Sequence, residues 1–195
     1  MTTHVQPTLI QGVFEFTFSK FEDERGQFSR LFCIKALEQT WGPRKVKQIN
    51  HSITHQPGAL RGLHFQYPPM AEAKLIRCLS GKVWDVAVDL RPSSQTFLKW
   101  HCVALSAEAN NAVLIPEGCA HGFQVLAPSS ELIYFHSEFY DPTKKDGIRW
   151  DDPVLNIQWP LPPEEISERD QNHRLIQDIR HDLRFRKMSS LSSVS

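Results

Sequence analysis

The sequence predicts an all-β fold of the sandwich or barrel type, and three observations support that prediction. Short runs rich in β-branched and aromatic residues recur along the chain, from VFEFTFS near its start to ELIYFHSEFY at 131–140. Glycine, proline and asparagine separate these runs, as in the turns SGK at 80–82 and PEG at 116–118. In KVWDVAVDL the even-numbered residues from 84 to 90 are all apolar, which is the period of a strand with a buried face.

The elements can be taken in order along the chain. The predicted strands are VFEFTFS, KLIRCL, KVWDVAVDL, HCVAL, AVLIP, HGFQVL and ELIYFHSEFY. The run SRLFCIKALEQTWG at 29–42 predicts a short helix. After Trp159, prolines and mixed charges predict an appended helical segment, and the serine-rich end is typical of a flexible tail. We expect one domain over residues 1–180 and a tail over 181–195.

Composition limits the possible partners and the compartment. Lysine plus arginine and aspartate plus glutamate number 22 each, so no overall charge favours nucleic acid or an anionic membrane. No apolar run approaches the roughly 18 residues of a membrane span, so we expect a soluble protein. The start MTTHVQPTLIQ lacks a secretion signal, and Cys33, Cys78, Cys102 and Cys119 form no CxxC pair. These features predict a cytoplasmic protein with reduced thiols.

Two histidines stand inside strand-like segments. In IPEGCAHGF, residues Pro116, Gly118 and His121 have the spacing that carries a histidine into the lumen of cupin barrels. The other cupin motif would need H-x-H, but here His64 is followed by Phe65 and Gln66, and an amide is a poor ligand for transition metals. We therefore expect no metal. A neutral His64 with Lys74 nearby suits removal of a carbon-bound proton and stabilisation of the resulting oxyanion.

Eight blocks in order resemble the dTDP-4-dehydrorhamnose 3,5-epimerase family across residues 10–172. They are ERGQFSR, QINHS, LRGLHFQ, KLIRCLSGKVWDVAVDLR, IPEGCAHGF, LIYFHSEFY, IRWDDP and ISERD. The resemblance implies a cupin-type jelly-roll barrel that forms a homodimer and works without metal or cofactor. It also implies proton exchange at C3 and C5 of a nucleotide-linked 4-keto-6-deoxy sugar.

The resemblance implies a role for each matching residue. His64 resembles the general base, Asp170 the carboxylate that orients it, and Tyr134 the acid on the opposite face of the sugar. Lys74 resembles the cation beside the C4 oxygen, and Tyr140 the ring on which the nucleotide base stacks. Tyr134 and Tyr140 would share one strand face if no bulge intervenes. Further residues fall on positions that contact substrate in the family: Arg25, Gln48, Asn50, Arg61, His121 and Arg169.

Three positions depart from the family pattern, and two of them reverse charge and leave the identity of the nucleotide open. Arg30 and Lys145 stand where the family usually has acidic residues, and Arg169 stands where lysine is usual. Because cytosine offers an acceptor at N3 where thymine offers a donor, the two cations raise the possibility of a CDP-linked substrate. The sequence is also compatible with epimerisation of one carbon only, with a non-catalytic cupin that binds a nucleotide sugar, and with a metal-dependent cupin dioxygenase.

Overall fold

The structure, a computed structural model, describes residues 2–185, in which thirteen strands and three short helices are found. The strands are β1 (Thr3–Pro7), β2 (Phe14–Phe18), β3 (Lys20–Asp23), β4 (Gly26–Ser29), β5 (Gln48–Thr54), β6 (Leu60–Gln66), β7 (Lys74–Ser80), β8 (Lys82–Asp89), β9 (Trp100–Ser106), β10 (Asn111–Ile115), β11 (Cys119–Val125), β12 (Ser130–His136) and β13 (Lys145–Gly147). The helices are α1 (Glu38–Trp41), α2 (Glu168–Gln171) and α3 (Ile176–Ile179). In the described part of the chain, no helix is long and apolar enough to cross a membrane.

The strands form two sheets and a separate hairpin. The six-stranded sheet has the order β1-β2-β10-β7-β12-β5, the five-stranded sheet has the order β13-β6-β11-β8-β9, and β3 pairs with β4 alone. All ladders between these strands within residues 2–185 are antiparallel. The predicted all-β class is therefore confirmed.

Strand β8 shows how the alternation in the sequence builds two layers of core. Val86 and Val88 belong to a cluster that includes Ile176 and Ile179 from the C-terminal segment. Ala87, between them in sequence, belongs to the cluster that joins the two sheets. The sheet is thus buried on both faces at this strand, whereas the alternation in the sequence predicts at least one buried face.

The helix predicted over 29–42 is much shorter in the structure. Only Glu38–Trp41 is α-helical, and Ser29 instead ends strand β4. The buried guanidinium of Arg77 accounts for part of the difference, because its Nη1 donates to the carbonyls of Arg30 and Leu31 at 2.7 and 3.1 Å. Those carbonyls are thereby held by a side chain from β7 rather than by a following helical turn.

The C-terminal segment contains two four-residue helices, α2 and α3, rather than one appended helix. Leu183 and Phe185 are buried beside α3, so the chain remains packed beyond the predicted start of the tail at residue 181. Residues 186–195 of that predicted tail lie outside the described residues.

Candidate active site

One cavity of about 380 Å³ lies where the two sheets face each other. The six-stranded sheet lines it with Asn50, Ser52, Lys74, Tyr134 and His136, and the five-stranded sheet with Arg61, His64, Gln66, His121 and Lys145. Glu72, Tyr140 and Arg169 complete much of the rim. Polar and charged side chains from both sheets therefore converge on one space.

His64 and Asp170 form a hydrogen-bonded pair at one side of this cavity. His64 Nε2 lies 2.8 Å from Asp170 Oδ1, while the backbone N–H of Gly62 donates to Oδ2 at 3.1 Å. Asp170 sits in the first turn of α2, where Ser167 caps the helix by accepting a hydrogen bond from the Asp170 N–H. The short helix thus fixes a buried carboxylate directly behind an imidazole that remains 22% exposed.

The environment keeps this pair as a neutral imidazole and an ionised carboxylate at pH 7. Burial lowers the pKa of His64 to about 4, although Asp170 opposes that shift. Burial alone would raise the pKa of Asp170, but His173, His64 and the N–H of Gly62 outweigh it and hold the pKa well below its usual range. Because the carboxylate can only accept, Nε2 of His64 carries the proton and Nδ1 keeps the lone pair.

A second histidine–aspartate pair lies on the neighbouring strands. His121 pairs directly with His64 in the β11–β6 ladder, and its Nε2 lies 2.8 Å from Asp85 Oδ2 of β8. Both side chains are buried, at 7% and 1% exposure. The other carboxylate oxygen, Asp85 Oδ1, has no hydrogen-bond partner in residues 2–185.

The wall contributed by the six-stranded sheet carries a chain of polar contacts. Glu72 accepts from Lys74 Nζ at 3.2 Å and contacts His136 Nδ1 at 2.8 Å, and His136 Nε2 lies 3.3 Å from Asn50 Nδ2. Burial would raise the pKa of Glu72, but Lys74 and His136 lower it overall. The charge of Lys74 is therefore balanced by an ionised carboxylate within the cavity.

Tyr134 reaches the same cavity beside this chain of contacts. Its hydroxyl lies 3.0 Å from Ser52 Oγ, and burial raises its pKa above the ordinary value. The phenol therefore stays protonated at neutral pH and can donate a proton or a hydrogen bond.

A metal site of the cupin type does not fit the residues at the matching positions. The Gln66 amide is fully engaged, since Nε2 donates to two carbonyls and Oε1 accepts from the Asp141 N–H. Nε2 of His121 is held by Asp85. These two side chains are committed to the protein's own hydrogen bonds.

Comparison with known proteins gives the family. A family model described as dTDP-4-dehydrorhamnose 3,5-epimerase matches residues 7–178. The chain belongs to this epimerase family. The dTDP-4-dehydrorhamnose 3,5-epimerase of Shigella flexneri is 46% identical over 171 residues, covering 87% of this chain and 93% of the relative. The resemblance found in the sequence is thus confirmed.

Two solved structures extend the comparison. The dTDP-6-deoxy-D-glucose-3,5-epimerase of Legionella pneumophila, in complex with dTDP-4-keto-L-rhamnose, has a TM-score of 0.91 and 35% identity, covering 96% of this chain and 100% of that one. A 3'-monoepimerase from Streptomyces bikiniensis, in complex with dTDP-quinovose, has a TM-score of 0.83 and 32% identity, covering 90% and 89%. The predicted jelly-roll architecture of the epimerases is confirmed by these neighbours.

Most of the site residues expected from the epimerase pattern come together. The cavity is lined by His64, Lys74, Tyr134, Asn50, Arg61, His121, Tyr140 and Arg169, with Asp170 behind His64. Gln48 does not line the cavity itself but contacts two residues that do. Its side chain donates to Asn50 Oδ1 at 3.1 Å and accepts from the Tyr140 N–H at 3.2 Å. Tyr140 follows the end of β12, so the prediction that the two tyrosines share a strand face was wrong, although both reach the cavity.

Arg25 and Arg30 are not brought to the cavity within the described chain. Arg25 lies in the turn between β3 and β4, is 87% exposed and pairs with Asp23. Arg30 lies near the amino-terminal strand with Cys33, although Lys145 does line the cavity. Of the two cations that replace acidic residues of the epimerase pattern, only Lys145 is placed to meet a ligand in this cavity.

Several residues of the site were not anticipated from the sequence, among them Glu72, His136, Asp85 and His173. Glu72 and His136 stand two positions from Lys74 and Tyr134, so strand periodicity contained a signal for them. For Asp85, the alternation in β8 indicates which face of the strand carries the side chain, but not that it contacts His121. His173 follows Asp170 by three residues, but its approach to His64 depends on tertiary packing against Gly147.

Proposed function

We propose that this protein inverts C3 and C5 of a dTDP-linked 4-keto-6-deoxy-hexose by proton abstraction and reprotonation through an enolate. The observation that carries the proposal is the His64–Asp170 pair, 2.8 Å apart, in a cavity that also holds Lys74 and Tyr134. A base, an orienting carboxylate, a cation and an acid are the groups that epimerisation beside a ketone requires.

In this proposal, each group has a defined step. Nδ1 of His64 takes the proton from the carbon next to the ketone, and Asp170 stabilises the imidazolium that forms. Lys74 stabilises the negative charge that develops on the C4 oxygen, and Tyr134 returns a proton on the other face. We assign diphosphate binding to the arginines of the cavity, Arg61 and Arg169, and base stacking to Tyr140. Asn50, Gln48 and His121 complete the substrate contacts in this proposal.

A second candidate is epimerisation of a single carbon. It is favoured by the structural similarity to the 3'-monoepimerase from Streptomyces bikiniensis. Both candidates use the same base, acid and lysine, so the number of exchanged carbons has to be measured directly.

The deciding experiment is incubation with a dTDP-4-keto-6-deoxy sugar in deuterated water, followed by mass spectrometry and proton NMR. Deuterium at both C3 and C5 with inversion at both is the expected result. Deuterium at one carbon would establish the single-carbon reaction instead. Binding without any exchange would favour a non-catalytic cupin, and an oxidised product that requires added iron would favour a metal-dependent dioxygenase.

We also propose that the protein acts as a homodimer in the cytoplasm. The β3–β4 hairpin exposes Phe21 and Phe28 at 60% and 66%, a pair of aromatic side chains that an interface would cover. All four cysteines are free, as expected in a reducing compartment. Sedimentation equilibrium tests the dimer, and a monomer at micromolar concentration would contradict it.

A further inference from the structure

We propose that His64, Asp170 and His173 form a Zn²⁺ site whose occupation inhibits the enzyme. The inhibition rests on the proposed role of His64 as the base, whereas the binding of the metal does not. In residues 2–185, these three are the only group of three or more histidine, cysteine and acidic side chains whose ligand atoms lie close enough to share an ion. The ligand atoms all lie within 4.8 Å of one another.

The spacing of the ligand atoms suits tetrahedral zinc. Asp170 Oδ1 lies 2.8 Å from His64 Nε2 and 3.5 Å from His173 Nε2. Bonds of about 2.0–2.1 Å in a tetrahedral site place neighbouring ligand atoms about 3.3 Å apart, between those two values. Two imidazoles and a carboxylate, with a fourth position left to water, are a ligand set that zinc commonly takes.

The packing around His173 holds its imidazole in place beside His64. Gly147 pairs with His64 in the β13–β6 ladder, and a Cβ at residue 147 would lie 2.4 Å from His173 Nε2. The absence of a side chain at residue 147 therefore makes room for the second imidazole. His173 Nε2 is buried, makes no hydrogen bond of normal geometry in the described residues, and lies 3.5 Å from Asp170 Oδ1, the oxygen that His64 also faces.

The charges nearby determine which ion can enter. Nitrogen ligands favour zinc and other late transition metals over Mg²⁺ and Ca²⁺. The guanidinium of Arg169 lies 3.4 Å from His64 Nε2 and has to move away, which its 57% exposure permits. Glu72 balances Lys74, but Lys145 is a further cation in the cavity and weakens the attraction for zinc.

Zinc at this position would disable the base through its tautomer. In the metal-free pair, Nε2 of His64 carries the proton and Nδ1 holds the lone pair that accepts the proton of the sugar. Coordination of zinc takes the lone pair of Nε2, so the single proton of the neutral imidazole moves to Nδ1. His64 then has no free nitrogen with which to accept a proton, and turnover stops without loss of the fold.

The first test is calorimetric titration of Zn²⁺ into metal-free protein without substrate, for wild type, His173→Asn and the control His55→Asn. His55 is an exposed histidine outside the cavity. We expect one equivalent of zinc to bind wild type and His55→Asn equally, and loss of one ligand to weaken binding to His173→Asn by about 30-fold or more. Equal zinc affinity in His173→Asn and wild type, or no binding to wild type, would overturn the proposal.

The second test measures turnover with zinc in the same concentration range. Zinc should inhibit wild type and His55→Asn, chelator should restore activity, and Mg²⁺ should have no effect. Zinc that binds with His173-dependent affinity but leaves turnover unchanged would overturn the inhibition and count against His64 as the base. If His173→Asn does not fold, His173→Gln and the absorption spectrum of Co²⁺-loaded wild type replace it. A spectrum lacking intense tetrahedral bands would contradict the site.

Discussion

The His64–Asp170 and His121–Asp85 pairs have the same hydrogen-bond length, 2.8 Å, and their histidines are direct partners in the β6–β11 ladder. Their surroundings differ. His64 is 22% exposed toward the cavity, and Asp170 accepts a second hydrogen bond from the Gly62 N–H. His121 is only 7% exposed, and one oxygen of Asp85 has no partner in the described residues.

The origin of the two carboxylates explains much of this difference. Asp85 comes from β8, where it pairs with Phe123 of β11, so the ladder places it two residues along from His121 on the same face of the sheet. Asp170 comes from α2, 106 residues beyond His64, and reaches the imidazole from outside the sheet ladders. A histidine–aspartate hydrogen bond is therefore insufficient to identify a base. Access to substrate and a carboxylate held by further donors distinguish the first pair.

Removing the first imidazole should give the largest effect. We expect His64→Ala to lower kcat by about 10²–10⁴-fold, because general base catalysis contributes that much. Nucleotide binding, followed by calorimetry with dTDP, should persist. A variant that retained more than about a tenth of wild-type turnover would contradict the assignment of His64 as the base.

Exchanging each carboxylate for an amide compares the two pairs directly. Asp170→Asn should lower kcat by about 10³-fold, because an amide can donate to Nε2 and so favour the wrong tautomer of His64. Asp85→Asn should cost about tenfold, since His121 only contacts substrate in our proposal. Each variant differs from wild type only in the replacement of one carboxylate oxygen by an amide NH₂ group. Circular dichroism checks that both variants fold. Equal losses in kcat would remove the distinction between the pairs.

Tyr134→Phe should separate proton exchange from inversion. The variant lacks only the hydroxyl that lies 3.0 Å from Ser52, so His64 can still remove a proton and return it to the same face. We expect inversion to fall about 10²-fold while deuterium exchange falls much less. Ser52→Ala serves as the control for loss of the hydrogen bond alone. Parallel losses of exchange and inversion in Tyr134→Phe would argue against Tyr134 as the acid.

The sequence predicted the parts of the site that depend on local pattern or on family resemblance. Alternation in β8 predicted at least one buried face, and the family resemblance identified His64 and Asp170 as a pair, which no spacing rule could link across 106 residues. The helix predicted over 29–42 was wrong over most of its length, in part because Arg77, from a distant strand, binds the carbonyls of Arg30 and Leu31. His173 was missed because its position depends on the space left by Gly147 in another strand.

Near pH 5.5, kcat/KM should be about tenfold higher with His64 as the base than it would be with a histidine of ordinary pKa. An imidazole of ordinary pKa, about 6.5, is roughly one-tenth neutral there. Because burial lowers the pKa of His64 to about 4, its base form persists at that pH. The acid limb of kcat/KM should therefore fall as the pH drops through about 4 rather than 6.5. A limb centred near 6.5 would show that the buried environment does not control the base.

The smallest effect is expected away from both pairs, where Lys145 Nζ lies 5.4 Å from the centre of the Tyr140 ring. If the nucleotide base stacks on that ring, Lys145→Glu supplies an acceptor for the N3–H of thymine and removes a donor that cytosine could use. The loss of a cation weakens diphosphate binding for both nucleotides, so the informative quantity is the ratio of their affinities. We expect the preference for dTDP over CDP to rise by about threefold to tenfold, the value of one net hydrogen bond. The control is Lys144→Glu, which makes the same charge change at the preceding residue. Lys144 does not line the cavity. An unchanged ratio in Lys145→Glu would mean that this side chain does not meet the base, and a wild-type preference for CDP would reverse the nucleotide assignment.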